Sequence, residues 1–284
     1  MSQEGFQIEA RAAILAANAG AEIIAEYAPI LSQPDIKRDL AEQKPDGSWR
    51  TIADIESEEA ILSILHERFP HSTKIGEESN PIYGDDGDIW YIDPCDGTNA
   101  LLGGVPYVAV CIALERKGRR VLEIINTPLI EQGRSYRAII DEKPTMFDGS
   151  HIHALPISVP NSLDEITIIP HFPRTRTRDH EILSNLANGR IIHSTTWKAG
   201  HAYHVAEVAH GFPNVYLFET PSNLPPWEAI GNLLLSCMGG VYTSYQFDTG
   251  SPKFTIVTTS QEVYHKLESE LRKANFGYGH TPRR

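Results

Sequence analysis

The stretch that most constrains the fold is Ile89-Trp90-Tyr91-Ile92-Asp93-Pro94-Cys95-Asp96-Gly97-Thr98. Four consecutive large apolar residues, β-branched or aromatic, predict a buried strand over 89–92. The next residues end it. Pro94 holds the backbone between two aspartates, and Gly97 lets the chain turn sharply into Thr98. Taken alone, Asp-Pro-Cys-Asp-Gly is a strand-to-turn connection with solvated aspartates, since Asp, Pro and Gly are the usual turn residues. The alternative is a turn that aims both carboxylates and the Cys95 carbonyl at one point. That donor set suits a hard cation such as Mg²⁺, which takes oxygen ligands and keeps several waters. Both readings stay open on these residues alone.

The rest of the chain sets limits. Its 284 residues suffice for one large domain or two small ones with a substantial core. A formal net charge of -12 argues against nucleic acid or an anionic membrane as the main partner. An anionic substrate would then need positive charge supplied locally, and a bound cation is one source. Cys95, Cys111 and Cys237 have the spacing of neither a disulfide framework nor a zinc site, which points to a reducing cytoplasm. No wholly apolar run approaches the roughly 18 residues of a membrane span, and the N-terminus lacks a basic-then-apolar signal pattern. The expectation is a soluble, cytoplasmic protein.

Periodicity predicts a helix over residues 6–27, then a polar loop over 31–49 that contains Lys44-Pro45-Asp46-Gly47-Ser48. Thr51 and Asp54 fit a capping box opening a helix through Phe69. Strands are predicted at 89–92, 107–114, 121–125 and 135–140. Beyond a boundary region at 141–161, strands at 166–169, 190–193, 215–218, 241–244 and 254–257 alternate with helices at 178–186, 200–210, 227–238 and 260–274. The pattern is mixed α/β, with one large sheet and a second sheet sandwiched by helices.

Acidic residues recur where predicted loops leave strands or enter helices: Asp54, Glu77-Glu78, Asp93, Asp96 and Glu228. Each has an ordinary explanation on its own, as a solvated loop acid or a carboxylate favoured at a helix N-terminus. Their joint order is more telling. Thr51-Ile52-Ala53-Asp54, Gly76-Glu77-Glu78-Ser79, Trp90 to Thr98, and Trp227-Glu228-Ala229-Ile230-Gly231 followed by Gly239-Gly240 together resemble the inositol monophosphatase family of metal-dependent, lithium-sensitive phosphatases. The resemblance spans roughly residues 10 to 257.

It implies a layered αβαβα sandwich in a single domain over 1–284, with sub-domains at about 1–145 and 155–284. It also implies two or three Mg²⁺ ions, with Mn²⁺ as a substitute, held by Glu77, Asp93, the Cys95 carbonyl, Asp96 and Glu228. Thr98 and Asp54, with Glu77, would position the attacking water. Gly97, Thr98, Glu219 and His201 would meet the substrate, and the 44–49 loop would close over the site. The implied reaction is hydrolysis of a small phosphate monoester, inositol-1-phosphate or a similar sugar or polyol phosphate, by a homodimer. Within the class the rivals are a 3'(2'),5'-bisphosphate nucleotidase and a histidinol-phosphate phosphatase. Outside it, the rival is a catalytically degenerate member acting as a binding protein.

Four departures from the family pattern bear on specificity. Glu228 stands where the family has Asp, Asn99-Ala100-Leu101 replaces Thr-Asn-Phe, His201 lies in the pocket segment, and the loop with Pro221, Pro225 and Pro226 is long. His201, His204 and His210 could be taken for a zinc cluster, but partly buried histidines account for them better. Cys95 is read as small apolar filler rather than a nucleophile. The basic run 174–178 is read as a solvated helix entry.

Overall fold

The computed structural model describes residues 6–277 apart from 34–36, 172–176, 190–199, 221–224, 228 and 247–251. The first helix, α1 (Gln7–Leu31), buries an Ala-rich face that includes Ala13, Ala16, Ala17, Gly20 and Ile24. It packs on α3 (Ile52–Arg68). The crossing is close enough to require Gly20, where a Cβ would lie 2.6 Å from Ser57 Oγ and 2.8 Å from Ile61 Cδ1. By length and composition α1 could cross a membrane. Its small residues count as apolar between the charged positions, so the helix passes although no wholly apolar run is long. Here its Ala face belongs to the core.

The predicted loop after α1 contains structure: α2 (Lys37–Leu40) leads into an antiparallel hairpin of β1 (Ala41–Gln43) and β2 (Trp49–Thr51). The hairpin delivers Thr51 as the cap of α3, and the predicted capping box is present.

A seven-stranded sheet follows in sequential order. It comprises β3 (Thr73–Gly76), β4 (Asp88–Asp96), β5 (Ala109–Arg116), β6 (Arg119–Thr127), β7 (Arg134–Ile139), β8 (Thr145–Phe147) and β9 (Ile152–Ala154). Only the β3–β4 pair is parallel. Between β4 and β5 lies α4 (Thr98–Leu102), a single turn. The central strands read as continuous apolar runs because both faces are buried. Along β5, Val110, Ile112 and Leu114 join the core under α1 and α3, whereas Ala109, Cys111 and Ala113 join the core on the opposite face.

The second sheet has the order β10-β11-β13-β12. Its strands are β10 (Ile168–His171), β11 (Val215–Glu219), β12 (Val241–Gln246) and β13 (Lys253–Thr258). Two helices, α6 (His201–His210) and α7 (Asn232–Cys237), share a core with the facing sides of both sheets. On the far side α5 (Thr177–Leu186) and α8 (Gln261–Lys273) close the molecule, with Leu183, Val263, Leu267 and Leu271 in the outer core. The layering is therefore αβαβα.

Two further predictions are corrected, and one cannot be compared. The 227–238 helix shrinks to α7 because Gly231 adopts φ 113°, which breaks the helical run, and Trp227, Ala229 and Ile230 form turns ahead of it. Short strands β3, β8 and β9 were not foreseen, and the 141–161 region contributes β8 and β9 to the large sheet. The 190–193 strand lies outside the described residues.

Candidate active site

The site begins with a defect in β4. Register runs from Asp93 opposite Cys111 to Asp96 opposite Ala109, so β4 carries one extra residue across Pro94 and Cys95. A proline has no N–H for the ladder, and a bulge is where a sheet tolerates it. Just before the bulge Asp93 is buried, at 2% exposure. Asp93 Oδ1 accepts the Cys95 N–H at 3.0 Å. Gly97 then takes φ 105°, and a Cβ there would lie 2.8 Å from the Gly200 nitrogen, so the turn is pressed directly against the start of α6.

That contact decides where Asp96 points. Its Oδ1 accepts the His201 N–H at 2.8 Å; its Oδ2 accepts those of Ala202 at 2.6 Å and Tyr203 at 3.3 Å. The Gly200 cap position has no side chain, and a carboxylate from another element satisfies the orphan donors instead. Burial pushes the Asp96 pKa up to about 6, opposed by these three N–H groups.

The helix α3 brings the next piece. Asp54 Oδ2 receives the Thr51 N–H at 2.8 Å in the capping box, which turns its Oδ1 toward α4, where the Thr98 hydroxyl donates at 2.7 Å. The Cys95 carbonyl lies 3.1 Å from the same hydroxyl. A hydroxyl has one proton and two lone pairs; with the proton on a carboxylate, Thr98 has lone pairs for a water. Burial raises the Asp54 pKa against its bonds to Thr51 and Thr98.

Glu77 and Glu78 follow β3. The Lys44 ammonium, carried by the β1–β2 hairpin, bridges them at 2.7 and 2.8 Å. Its donation to both carboxylates holds the lysine in its charged form against desolvation. Burial pushes Glu78 up to about 7, with Lys44 opposing. The Glu78 N–H donates to Glu58 Oε2 at 2.9 Å, and a Cβ on Gly76 would collide with that Glu58 carboxyl at 2.4 Å.

Cys95 is enclosed. Burial, then the negative charges of Asp54, Asp93, Asp96 and Glu77, hold its thiol well above the ordinary range, which excludes a thiolate nucleophile at neutral pH. The same interactions measure the site: four carboxylates act on one thiol, and Lys44 pairs with one of the four. Such a set calls for a cation, and its donors are the hard oxygens a divalent ion of the Mg²⁺ type takes. Among the described residues, however, no three His, Cys, Asp or Glu side chains converge as a ready-made metal cage. Asp96 is turned to α6 and Glu77 to Lys44, while Glu228 lies outside the described residues.

His201 is placed differently from the sequence expectation. Only its backbone N–H faces the turn. Its imidazole is directed into the core, with Nδ1 3.2 Å from the Tyr216 hydroxyl and Nε2 2.8 Å from that of Tyr242. Burial, with His171 nearby, pushes its pKa down to about 3, so the ring is neutral. His204 packs among Tyr203, Tyr216 and His171 on the same helix, which accounts for it as a core residue. Glu219 ends β11 opposite Phe254, half-buried.

Sequence reasoning missed Lys44 as the counter-charge of the Gly-Glu-Glu segment, although it named the loop. It also missed Glu58, whose signal was an acid one helical turn after Asp54 on the buried face. Tyr216 and Tyr242 carried no signal, because their role depends on strand order.

The inositol monophosphatase family model matches residues 7–274. Among related sequences, a Nus factor SuhB from Pasteurella multocida is 29% identical over 208 residues, 71% of this chain and 74% of that protein. A histidinol-phosphatase from Chlorobaculum parvum is 39% identical over 95 residues, 34% of this chain and 36% of that one. Among solved structures, an inositol monophosphatase from Anabaena superposes with a TM-score of 0.70 at 22% identity. The match covers 94% of this chain and 96% of that one.

Proposed function

The chain belongs to the inositol monophosphatase family, and from that premise we propose that it hydrolyses inositol-1-phosphate or a similar sugar or polyol phosphate with Mg²⁺. Membership makes it a phosphoric monoester hydrolase. The observation that carries the finer reading is the chain of contacts Asp54–Thr98–Cys95 carbonyl at the bulged end of β4. It is the arrangement needed to orient a water beside oxygen donors.

Glu77, Asp93, the Cys95 carbonyl, Asp96 and Glu228 would hold the ions. Bound Mg²⁺ would supply Lewis acidity, lowering the pKa of water and neutralising the phosphate oxygens. Thr98, its proton donated to Asp54, accepts a hydrogen bond from the attacking water and so fixes the lone pair that faces phosphorus. As the water attacks, its proton passes to Thr98 while the Thr98 proton passes to Asp54. Asp54 keeps Thr98 in that role because its other oxygen is held by the α3 cap. Asp96, gripped by three N–H groups, is held in one orientation at the turn. The Gly97–Thr98 backbone and Glu219 would meet the substrate's phosphate and hydroxyls. For the compartment, the described cysteines are all free thiols, which supports the reducing cytoplasm. A homodimer is the assembly we propose with it.

The test is phosphate release with Mg²⁺ across inositol, sugar, nucleotide and histidinol phosphates. Turnover on a polyol or sugar phosphate is expected, with Asp96→Asn losing it and Glu228→Asp keeping or raising it. Absence of turnover on every substrate, or full activity in Asp96→Asn, would overturn the reading. Preference for nucleotide or histidinol phosphate would move the substrate and leave the chemistry.

A further inference from the structure

His201 has two ends with different partners. Its main-chain N–H is one of the three donors on Asp96, at 2.8 Å. Its side chain runs the other way, into the second sheet. There the ring lies edge-on to Phe218 with centroids 4.4 Å apart, and its nitrogens meet the hydroxyls of Tyr216 and Tyr242. Tyr216 is on β11 and Tyr242 on β12, strands separated by β13. Both tyrosines pair in register with Val257 of β13, so they stand in one row across the sheet. One imidazole therefore spans three strands and fastens the first residue of α6 to two fixed points. A neutral ring has one donor and one acceptor nitrogen, and hydroxyls can serve either, so both contacts are satisfiable at once.

The first turn of α6 needs such an anchor. Its backbone sits against Asp96 so tightly that a Cβ on Gly200 would lie 2.4 Å from Oδ2. On the Asp96 side it is held by these hydrogen bonds, by the Gly200 N–H on the Tyr107 carbonyl at 3.1 Å and by the packing of Tyr203 on Tyr107. A shift of the helix start would loosen all three donors together and free the carboxylate to rotate.

We propose that His201 is a positioning residue: through its ties to Tyr216 and Tyr242 it holds the α6 N–H groups on Asp96, and thereby fixes the orientation in which Asp96 meets a cation. A carboxylate has about four lone-pair positions, and three N–H groups on Asp96 leave room for few others. The direction left to a metal is thus set from the second sheet, across the inter-sheet core. This inference rests on the assignment of Asp96 as a metal ligand. It replaces direct substrate contact by the imidazole, since both ring nitrogens are occupied by tyrosines.

The experiment compares wild type with His201→Phe, which keeps an aromatic ring and removes both polar contacts, and with His201→Gln, whose amide restores a reach to Tyr242. Tyr242→Phe removes one contact with little change in packing and serves if His201→Phe does not fold. Three readouts are taken: amide hydrogen exchange at residues 201–203 in metal-free protein, Mn²⁺ affinity by electron paramagnetic resonance, and kcat and KM at saturating Mg²⁺. For His201→Phe we expect faster exchange at 201–203 and Mn²⁺ binding weakened about tenfold, the scale of one or two lost hydrogen bonds. The KM should be unchanged, with partial effects in Tyr242→Phe and recovery in His201→Gln. The Phe variants should couple, the double variant losing less than the sum.

Unchanged exchange and unchanged Mn²⁺ affinity in both Phe variants would overturn the proposal. So would a raised KM with intact Mn²⁺ binding, which would return His201 to the substrate. The exchange and Mn²⁺ readouts need no turnover. If they behave as expected while no phosphate is released from any substrate, the proposed activity fails and the positioning role stands.

Discussion

Replacing Gly200 with alanine tests the site at its tightest point. An added Cβ would lie 2.3 Å from the Asp96 carbonyl oxygen and 2.4 Å from Asp96 Oδ2. Ordinary contact begins near 3.5 Å, so the start of α6 or the β4 bulge must retreat by about 1 Å. Neither neighbour is the far end of a flexible chain, so the retreat cannot be local. The three Asp96 bonds, at 2.6 to 3.3 Å, would be stretched together toward or beyond hydrogen-bond range. Overpacking of this kind costs about 1–3 kcal/mol, and weakening bonds to a charged acceptor adds about 1.5–3 kcal/mol for each one lost. A total destabilisation of about 2–4 kcal/mol is expected, assuming partial relaxation. A 1 Å displacement of a catalytic group also costs about 10²-fold in rate. Urea unfolding with and without Mg²⁺ measures the first quantity, and kcat at saturating Mg²⁺ the second. Gly103→Ala is the control: its nearest contacts are at 3.3 Å and its φ is −85°, so a change under about 1 kcal/mol is expected. A Gly200→Ala protein within about 0.5 kcal/mol of wild type and within threefold in kcat would refute the reasoning.

Further expectations follow from the same contacts. Thr98→Ala removes the hydroxyl between Asp54 and the Cys95 carbonyl and should lower kcat about 10²-fold or more, with Thr98→Ser retaining most activity; equal rates would deny Thr98 its water-orienting role. The pH dependence has a definite sign. The folded pKa of Asp96 is raised to about 6 from an ordinary carboxylate value. Its contribution to metal-free stability is therefore fully present below about pH 4 and lost as pH rises through about 6. Mg²⁺ requires the ionised form, so its affinity should fall below pH 6, and thermal melts at pH 4 to 8 with and without Mg²⁺ would read both trends. Glu123 is buried on β6, and its Oε2 accepts the N–H groups of Gly231 and Leu234 at 3.0 Å each, capping α7. Glu123→Ala leaves those donors without their acceptor and should cost about 2–4 kcal/mol in chemical denaturation. Glu123→Gln should cost much less, because its amide oxygen can still accept both N–H groups.

The legible parts of this chain were those whose cause is local. The Ala face of α1, the Thr51–Asp54 capping box and the apolar runs of β4 to β7 are written in neighbouring residues, and they lie close to the predicted positions. Local chemistry also foretold the turn at Gly97, although β4 does not end at Ile92 but runs on through a bulge at Pro94 to Asp96, and the ordered set of acidic motifs pointed to the family. What the local pattern could not hold were the short strands β3, β8 and β9, each with three or four residues and too brief for a period to register. Nor could it hold the early end of the Trp227 helix, where the Gly231 backbone passes Val205 of α6 so closely that a Cβ would lie 2.6 Å from it. The orientations of Asp96 and Glu77 were decided by the tertiary structure. Asp96 points where it does because α6 starts 105 residues later against the same turn. Lys44 reaches Glu77 from a hairpin 33 residues earlier. His201, exposed to the eye as a pocket residue, is drawn into the core by two tyrosines whose common row exists only once β13 lies between their strands. A sequence determines which donors a chain owns and the local frames that carry them; which oxygen faces which proton depends on packing between segments distant in the chain.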